Sequence, residues 1–273
     1  MSAADTAAAR QAVASNKLWY HTMEVAPGVV TPGWFDLRGI IAGLPWPDVE
    51  GKRCLDVGTY DGMLAFELER RGAAEVVATD IADHELWDWP PRLRAQGAEF
   101  LREAAGEEKG RGFQIAAELL GSRVERRFSS VYELSPEAVG EFDVVTCGSL
   151  LLHLRDPLRA LAAIRSVCRG EFMSCEQVDL GLSLRHRRRA VLAFDGTNHL
   201  LQWAVPNAAA HRSMLEAAGF DVIAGGELYG EDFGPAHRAV RRSPRSLAVA
   251  AARRIFTGST GVPHHALLSR PAI

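Results

Sequence analysis

The chain has 273 residues, of which 47% are hydrophobic and 24% charged, with four widely spaced cysteines and a formal net charge of −3. These values sit near the averages for globular proteins and exclude a disordered tail protein, a collagen-like chain and a disulfide scaffold. The charge is uneven: residues 185–273 hold 12 basic and 6 acidic residues, whereas residues 1–184 hold 19 and 28. Such a basic third is either a solvated arginine-rich face or a contact for an anion or nucleic acid. Only Lys17, Lys52 and Lys109 are lysines, which weakens a general polybasic reading. The first residues lack the apolar core of a signal peptide, and no apolar run approaches ~20 residues. The expectation is a cytoplasmic protein with reduced thiols and no membrane contact.

Residues 1–17 are alanine-rich and read as a helix or an arm. The aromatic stretch Trp19-Tyr20-His21 follows, and then a segment punctuated by Pro27, Gly28, Pro32 and Gly33. Leu37 to Leu44 reads as a helix closed by P-W-P at 45–47. From Arg53 onward strands and helices alternate. Strands are expected at 54–58, 76–80, 124–128, 142–148 and 171–178, with helices at 63–71, 92–105, 113–120 and 158–167. This βαβ pattern predicts a doubly wound, mostly parallel α/β sheet, Rossmann-like, with right-handed crossovers. The expected organisation is a covering segment over 1–49, a central domain over 50–225 and a C-terminal extension over 226–273. The extension adds strands, covers an edge or pairs subunits as a homodimer. Residues 183–204 interrupt the sheet pattern and read as a substrate-facing insertion.

A parallel sheet binds ligands at the carboxyl ends of its strands, where strand order reverses. The first central strand ends in Asp56-Val57-Gly58-Thr59-Tyr60-Asp61-Gly62, and the second ends in Asp80, 22 residues beyond Gly58. A carboxylate at that separation suits the two hydroxyls of a ribose. A nicotinamide dinucleotide needs G-x-G-x-x-G, with bare backbone against its pyrophosphate. Here the turn reads D-x-G-x-x-x-G. Its carboxylates, Asp56 and Asp61, repel a pyrophosphate but attract a sulfonium and an ammonium. The chemistry therefore points to S-adenosylmethionine rather than NAD.

C-L-D-V-G-T-Y-D-G, A-T-D and D-V-V-T-C-G-S-L-L-L-H-L resemble the successive motifs of class I S-adenosylmethionine-dependent methyltransferases. Within that superfamily, W-Y-H-T, T-P-G-W-F-D-L-R and W-x-x-P-N-x-x-x-H-x-x-M-L-x-x-A-G-F resemble the tRNA wobble-uridine methyltransferase-like group, over about 18–225. The resemblance implies that Gly58, Thr59, Tyr60 and Gly62 approach the methionine part, with Asp56 near its ammonium. It implies that Asp80 and Ile81 meet the ribose and that Cys147 and Gly148 lie beside the sulfonium. Ser130 stands where the family usually has an acidic residue for the adenine amine, so adenine recognition shifts towards the Val131 backbone.

Methyl transfer is an in-line displacement in which alignment supplies much of the acceleration, and a base is needed only where the acceptor loses a proton. His153 and His21 are the base candidates, each weighed against a packing or ordering role. Tyr20, Trp34, Trp203 and Asn207 are candidate substrate contacts. Trp34 reads equally as core, and Asn207 reads first as the N-cap of a helix over 208–218 and only second as a substrate contact. Glu176 is a weaker candidate at the end of the fifth strand. No histidine pair at metal-ligand spacing accompanies an acid, so no metal is expected. The leading expectation is methylation of a small molecule at oxygen or nitrogen. The others are a tRNA-modifying enzyme and a non-catalytic cofactor- or partner-binding protein.

Overall fold

Arg53 to Val57 is a strand because its side chains alternate between two apolar environments, one on each face of a sheet. The computed structural model describes residues 2–105, 109–196, 201–237 and 243–272. Helix α1 (Ala3–Ser15) opens the chain on a capping box between Ser2 and Asp5. Strands β1 (Glu24–Ala26) and β2 (Val29–Val30) form a small hairpin, followed by β3 (Phe35–Asp36). The central alternation is β4 (Arg53–Val57), α2 (Met63–Arg70) and β5 (Glu75–Asp80); then α3 (Pro91–Arg94), α4 (Ala98–Ala105) and α5 (Arg111–Leu120); then β6 (Glu125–Phe128), α6 (Pro136–Val139), β7 (Phe142–Gly148) and α7 (Pro157–Val167), which runs directly into β8 (Cys168–Gln177). Beyond it lie α8 (Leu180–Arg185), the hairpin β9 (Leu192–Phe194) with β10 (Ala204–Pro206), α9 (Ala208–Ala217), β11 (Phe220–Phe233), α10 (Pro244–Thr257) and β12 (Val262–Pro271).

The eight-stranded sheet has the order β3-β11-β12-β8-β7-β4-β5-β6. The five strands from β6 to β8 are parallel, and β12, β11 and β3 each pair antiparallel with their neighbours. The expected α/β class and mostly parallel sheet are therefore present. Strand order reverses between β4 and β7, which opens a crevice at their carboxyl ends. On one face Leu55, Val57, Val77, Val145 and Phe172 pack with Leu161 and Ile164 of α7 and Leu215 of α9. On the other, Cys54, Val76, Ala78 and Val144 pack with Phe66 of α2, Phe113 of α5 and Trp19, Met23 and Val25 of the first segment. The two helix layers thus cover both faces, as a parallel sheet requires.

Several expected boundaries move, each for a local reason. Instead of a helix over 37–44 the chain makes turns, with one 3-10 turn at Ile41–Gly43. Pro45 has no N–H to give the Ile41 carbonyl, which takes the Trp46 indole N–H at 2.6 Å instead. The helix expected over 92–105 breaks into α3 and α4 at Gly97, whose φ of +92° no helix accommodates. The boundary drawn between 225 and 226 falls inside β11, which pairs with β12 along its length, so the C-terminal extension is part of the sheet. Likewise β3, from the expected covering segment, forms the outer edge. Residues 197–200 of the expected insertion and 238–242 of the extension lie outside the described residues. Among those described, no helix is long and apolar enough to cross a membrane.

Gly62 caps α2 with φ +96°, and a Cβ there would meet Phe66 at 2.3 Å and Phe113 at 2.9 Å. Gly62→Ala is expected to destabilise the fold by about 2 kcal/mol through backbone strain and overpacking. An unchanged midpoint in thermal unfolding would refute that packing.

Candidate active site

Asp56 is buried at the end of β4, and its carboxylate accepts the Thr146 hydroxyl of β7 at 2.8 Å. This bond spans the point where strand order reverses. Burial pushes the Asp56 carboxyl up to about 6, against the hydrogen bond from Thr146 and the nearby Thr59 hydroxyl. Beyond Asp56 the chain turns at Gly58 (φ +73°), where a Cβ would come within 3.0 Å of Leu150. Tyr60 also takes a positive φ, and its N–H donates to Asp80 Oδ2 at 3.0 Å. Asp80 Oδ1 accepts the N–H of Ile81 at 2.8 Å. The first turn and the second strand end are thereby locked together. Lys109 lies against Asp80 at 3.8 Å, with its ammonium over the rings of Tyr60 and Trp87.

The N-terminal segment closes the crevice from outside. Asp61 Oδ2 accepts the backbone N–H groups of Tyr20 and His21 at 2.8 and 3.0 Å, and Oδ1 meets His21 Nδ1. Asp61 is therefore engaged in holding this segment and orienting an imidazole, not in facing a sulfonium as the sequence led us to expect. Burial opposes the charged form of His21, but the Asp61 carboxylate outweighs it and the pKa rises above 6.5. The Tyr20 ring packs at a tilt against Tyr60, 5.3 Å away, and Phe35, 5.1 Å away, and its phenol is pushed well above its ordinary value by burial.

Between these groups lies a cavity of about 430 Å³, counting the part open to solvent. It is lined by Asp56, Gly58, Thr59, Leu64 and Gly148 of the central sheet and its turns, and by His21, Leu37, Leu44, Ser149, Cys175 and Glu231. No lysine or arginine is among the lining residues.

A family model described as a methyltransferase domain matches residues 36–224. The chain belongs to this methyltransferase family. The ubiquinone biosynthesis O-methyltransferase of Bordetella parapertussis is 33% identical over 129 residues, which cover 46% of this chain and 43% of that enzyme. Its counterpart from Azotobacter vinelandii is 30% identical over 152 residues, 56% of this chain and 53% of that enzyme. The chain spans about half the length of these curated relatives. Among solved structures, the N-terminal domain of EvdMO1 with SAH bound superposes with a TM-score of 0.55 at 16% identity, covering 99% of this chain and 98% of that one. That likeness shows a shared fold.

The residues of this family member fit S-adenosylmethionine. Gly58 and Gly148 leave room that a Cβ would fill against Leu150 and Leu64, and carboxylates stand at both strand tips for a cationic nucleoside. The structure brings together Asp56, Gly58, Thr59, Gly148 and His21 around the cavity, with Tyr60, Gly62, Asp80 and Ile81 in the adjoining turn and strand end. Ser130 caps the 3-10 turn Val131–Glu133, its hydroxyl accepting the Tyr132 N–H at 3.3 Å, and Val131 is packed in the core. The Cys147 thiol points to Glu176, 3.7 Å away, rather than into the cavity.

The other candidates fall elsewhere. His153 is not among the cavity-lining residues; its Nδ1 meets the Leu201 carbonyl, and burial lowers its pKa. The Trp203 indole donates to the Asp88 carbonyl, with Arg155 over its ring. Trp34 is 42% exposed, edge-on to His237. Asn207 is no substrate contact: Oδ1 caps Ala210 at 2.8 Å and takes the Val191 N–H, while Nδ2 donates to the carbonyls of His186 and Arg189. Its hydrogen-bonding capacity is filled by the protein. Sequence reasoning missed Ser149, Glu231 and the apolar lining Leu37, Leu44 and Leu64. Glu231 lies on a strand that no motif marks.

Glu176 at the end of β8 accepts the N–H groups of Leu151 at 3.0 Å and Leu150 at 3.4 Å, and burial pushes it up to about 8. It holds the turn after β7 against the glycine turn. Glu176→Ala is expected to speed amide exchange at Leu150 and Leu151 by about tenfold while leaving Val77 protected, because buried N–H groups lose their acceptor. Equal exchange in both proteins would remove Glu176 from that role.

Proposed function

We propose that this methyltransferase moves a methyl group from S-adenosylmethionine to an oxygen or nitrogen of a small organic acceptor. The observation that carries this reading is the single cavity shared by the glycine turn, Asp56 and the His21–Asp61 pair. S-adenosylmethionine supplies, when bound, an electrophilic methyl group on a sulfonium. Gly58 and Thr59 accommodate the methionine part, and Asp56 attracts its ammonium. Asp80 would hold the ribose hydroxyls, and Ser130 and the Val131 backbone would serve the adenine. His21 takes the acceptor's proton at Nε2: its Nδ1 is held by Asp61, which fixes the tautomer that leaves Nε2 with a lone pair. Leu37, Leu44 and Leu64 exclude water and pack the acceptor's apolar body.

The named relatives that methylate small molecules support the acceptor class. A lining with carboxylates and without arginine or lysine also disfavours a polyanion. The wobble-uridine reading rests on the sequence resemblance and the basic C-terminal third. It requires tRNA affinity that falls steeply with salt. A cytoplasmic setting accords with four buried, unpaired cysteines.

Calorimetry with S-adenosylhomocysteine is expected to show binding to the wild-type chain, weakened about tenfold or more in Asp80→Ala by loss of charge-assisted hydrogen bonds. Binding of a reduced dinucleotide in its place would overturn the cofactor assignment. For the base, transfer to a hydroxyl acceptor is expected to decline as pH falls through a pKa above 6.5, since protonated His21 has no lone pair to offer. His21→Asn is expected to lower kcat about a hundredfold and to abolish that limb of the profile. An unchanged profile in the variant would assign the proton to another group.

A further inference from the structure

The acceptor side of the cavity is completed by strands outside residues 36–224, the span the family model matches. Ser149 follows β7 with φ +50°, its N–H donating to the Cys175 carbonyl at 2.8 Å. Its hydroxyl lies 2.9 Å from His264 Nε2, and that nitrogen is 3.4 Å from Glu231 Oε2. His264 sits on β12 opposite Tyr229 of β11, which places its ring beside Glu231 on the same pair of strands. Ser149 and Glu231 themselves line the cavity, and His264 links them.

This group holds a carboxylate with acceptor sites to spare. His264 Nδ1 is 3.0 Å from the Val262 carbonyl, an oxygen that can only accept, so Nδ1 carries a hydrogen. Its Nε2 is shared between the Ser149 hydroxyl and Glu231 Oε2. Tyr20 and His21 also lie within electrostatic reach of this carboxylate, which is only 3% exposed yet lines the cavity. One shared nitrogen leaves most of the acceptor sites of a carboxylate for a ligand. A buried carboxylate with unfilled acceptor sites is costly unless a ligand supplies the donor.

We propose that Glu231 recognises the methyl acceptor through an O–H or N–H⁺ donor, so that the acceptors are neutral hydroxyl compounds or protonated amines and carboxylated or phosphorylated compounds are rejected. This rests on the methyltransferase reading above. Glu231 is the contact, and Ser149 and His264 are positioning residues that fix its rotamer. Asp56 in the same lining adds to the rejection of anions, whereas the apolar lining is indifferent to charge.

The test uses the full chain saturated with S-adenosylhomocysteine and three probes on one ring: benzylamine, benzyl alcohol and benzoate, followed by ligand-observed NMR. Benzylamine and benzyl alcohol are expected to bind, and benzoate is not. In Glu231→Gln, benzylamine affinity is expected to fall about tenfold and benzyl alcohol much less, because the amide keeps an acceptor but loses the charge. The affinity for S-adenosylhomocysteine, measured by calorimetry, is expected to stay within about twofold, which shows that the variant is folded. Binding of benzoate as tightly as benzylamine, no binding of benzylamine, or equal benzylamine affinity in both proteins would overturn the proposal while leaving the cofactor reading intact. Failure of the wild type to bind S-adenosylhomocysteine would instead overturn the reading beneath it.

Discussion

The hydroxyl of Thr146 donating to the buried Asp56 carboxylate ties together the two strands that diverge at the crevice. A carboxylate in that position is under strong desolvation, which is why its pKa climbs to about 6 despite the Thr146 hydroxyl donor. It persists there because the register between β4 and β7 sets Asp56 opposite Thr146. A one-residue slip would turn Asp56 onto the face packed by Leu55 and Val57, where no donor awaits it. The hydrogen bond and the apolar alternation thus select the same register, and the positions of Gly58, Gly148 and Ser149 follow from it.

A second constraint joins the outer segment to this frame. Gly33 lies so close to the backbone of His21 that a Cβ would sit 2.1 Å from the His21 carbonyl carbon, and Gly234 beyond β11 approaches Gly33 in the same way at 2.2 Å. Backbone of the first segment is therefore packed directly on backbone, with β3 pairing to β11 alongside. Asp61 adds acceptors for two N–H groups from the same stretch. The base candidate and Glu231 thus lie on segments that are stitched to each other as well as to the central sheet, so the cavity's two walls cannot drift independently.

The parallel core was legible because V-V-A-T-D and D-V-V-T-C-G combine β-branched residues with a polar residue at the strand tip, a local pattern that survives packing. The glycine turn and Asp80 were legible for the same reason: their roles depend on spacing along the chain. What escaped was non-local. The boundary expected after residue 225 falls at Gly225 and Gly226, which both take positive φ within β11, where the register shifts as in a β-bulge. Glu231 lies beyond that bulge and meets its partner His264 only through strand pairing. Asp61 looked like a ligand-facing charge because its partners are 40 residues away. Asn207 was divided between capping and substrate contact, and the loop carbonyls at His186 and Arg189 that fill its amide are invisible to a local reading.

A carboxylate-lined cavity raises a question of catalytic economy. Negative charge near a sulfonium strengthens donor binding, but methyl transfer discharges that cation, so this attraction favours the ground state as much as the transition state or more. Were the positive charge simply to vanish, Asp56 and Glu231 would oppose the chemistry. In the proposed reading it does not vanish: as the acceptor's proton passes to His21, the charge moves from sulfur to an imidazolium held by Asp61 in the same cavity. The field of the carboxylates is then retained for the product state, and the His21–Asp61 pair is what converts an acidic site from a donor trap into one compatible with turnover.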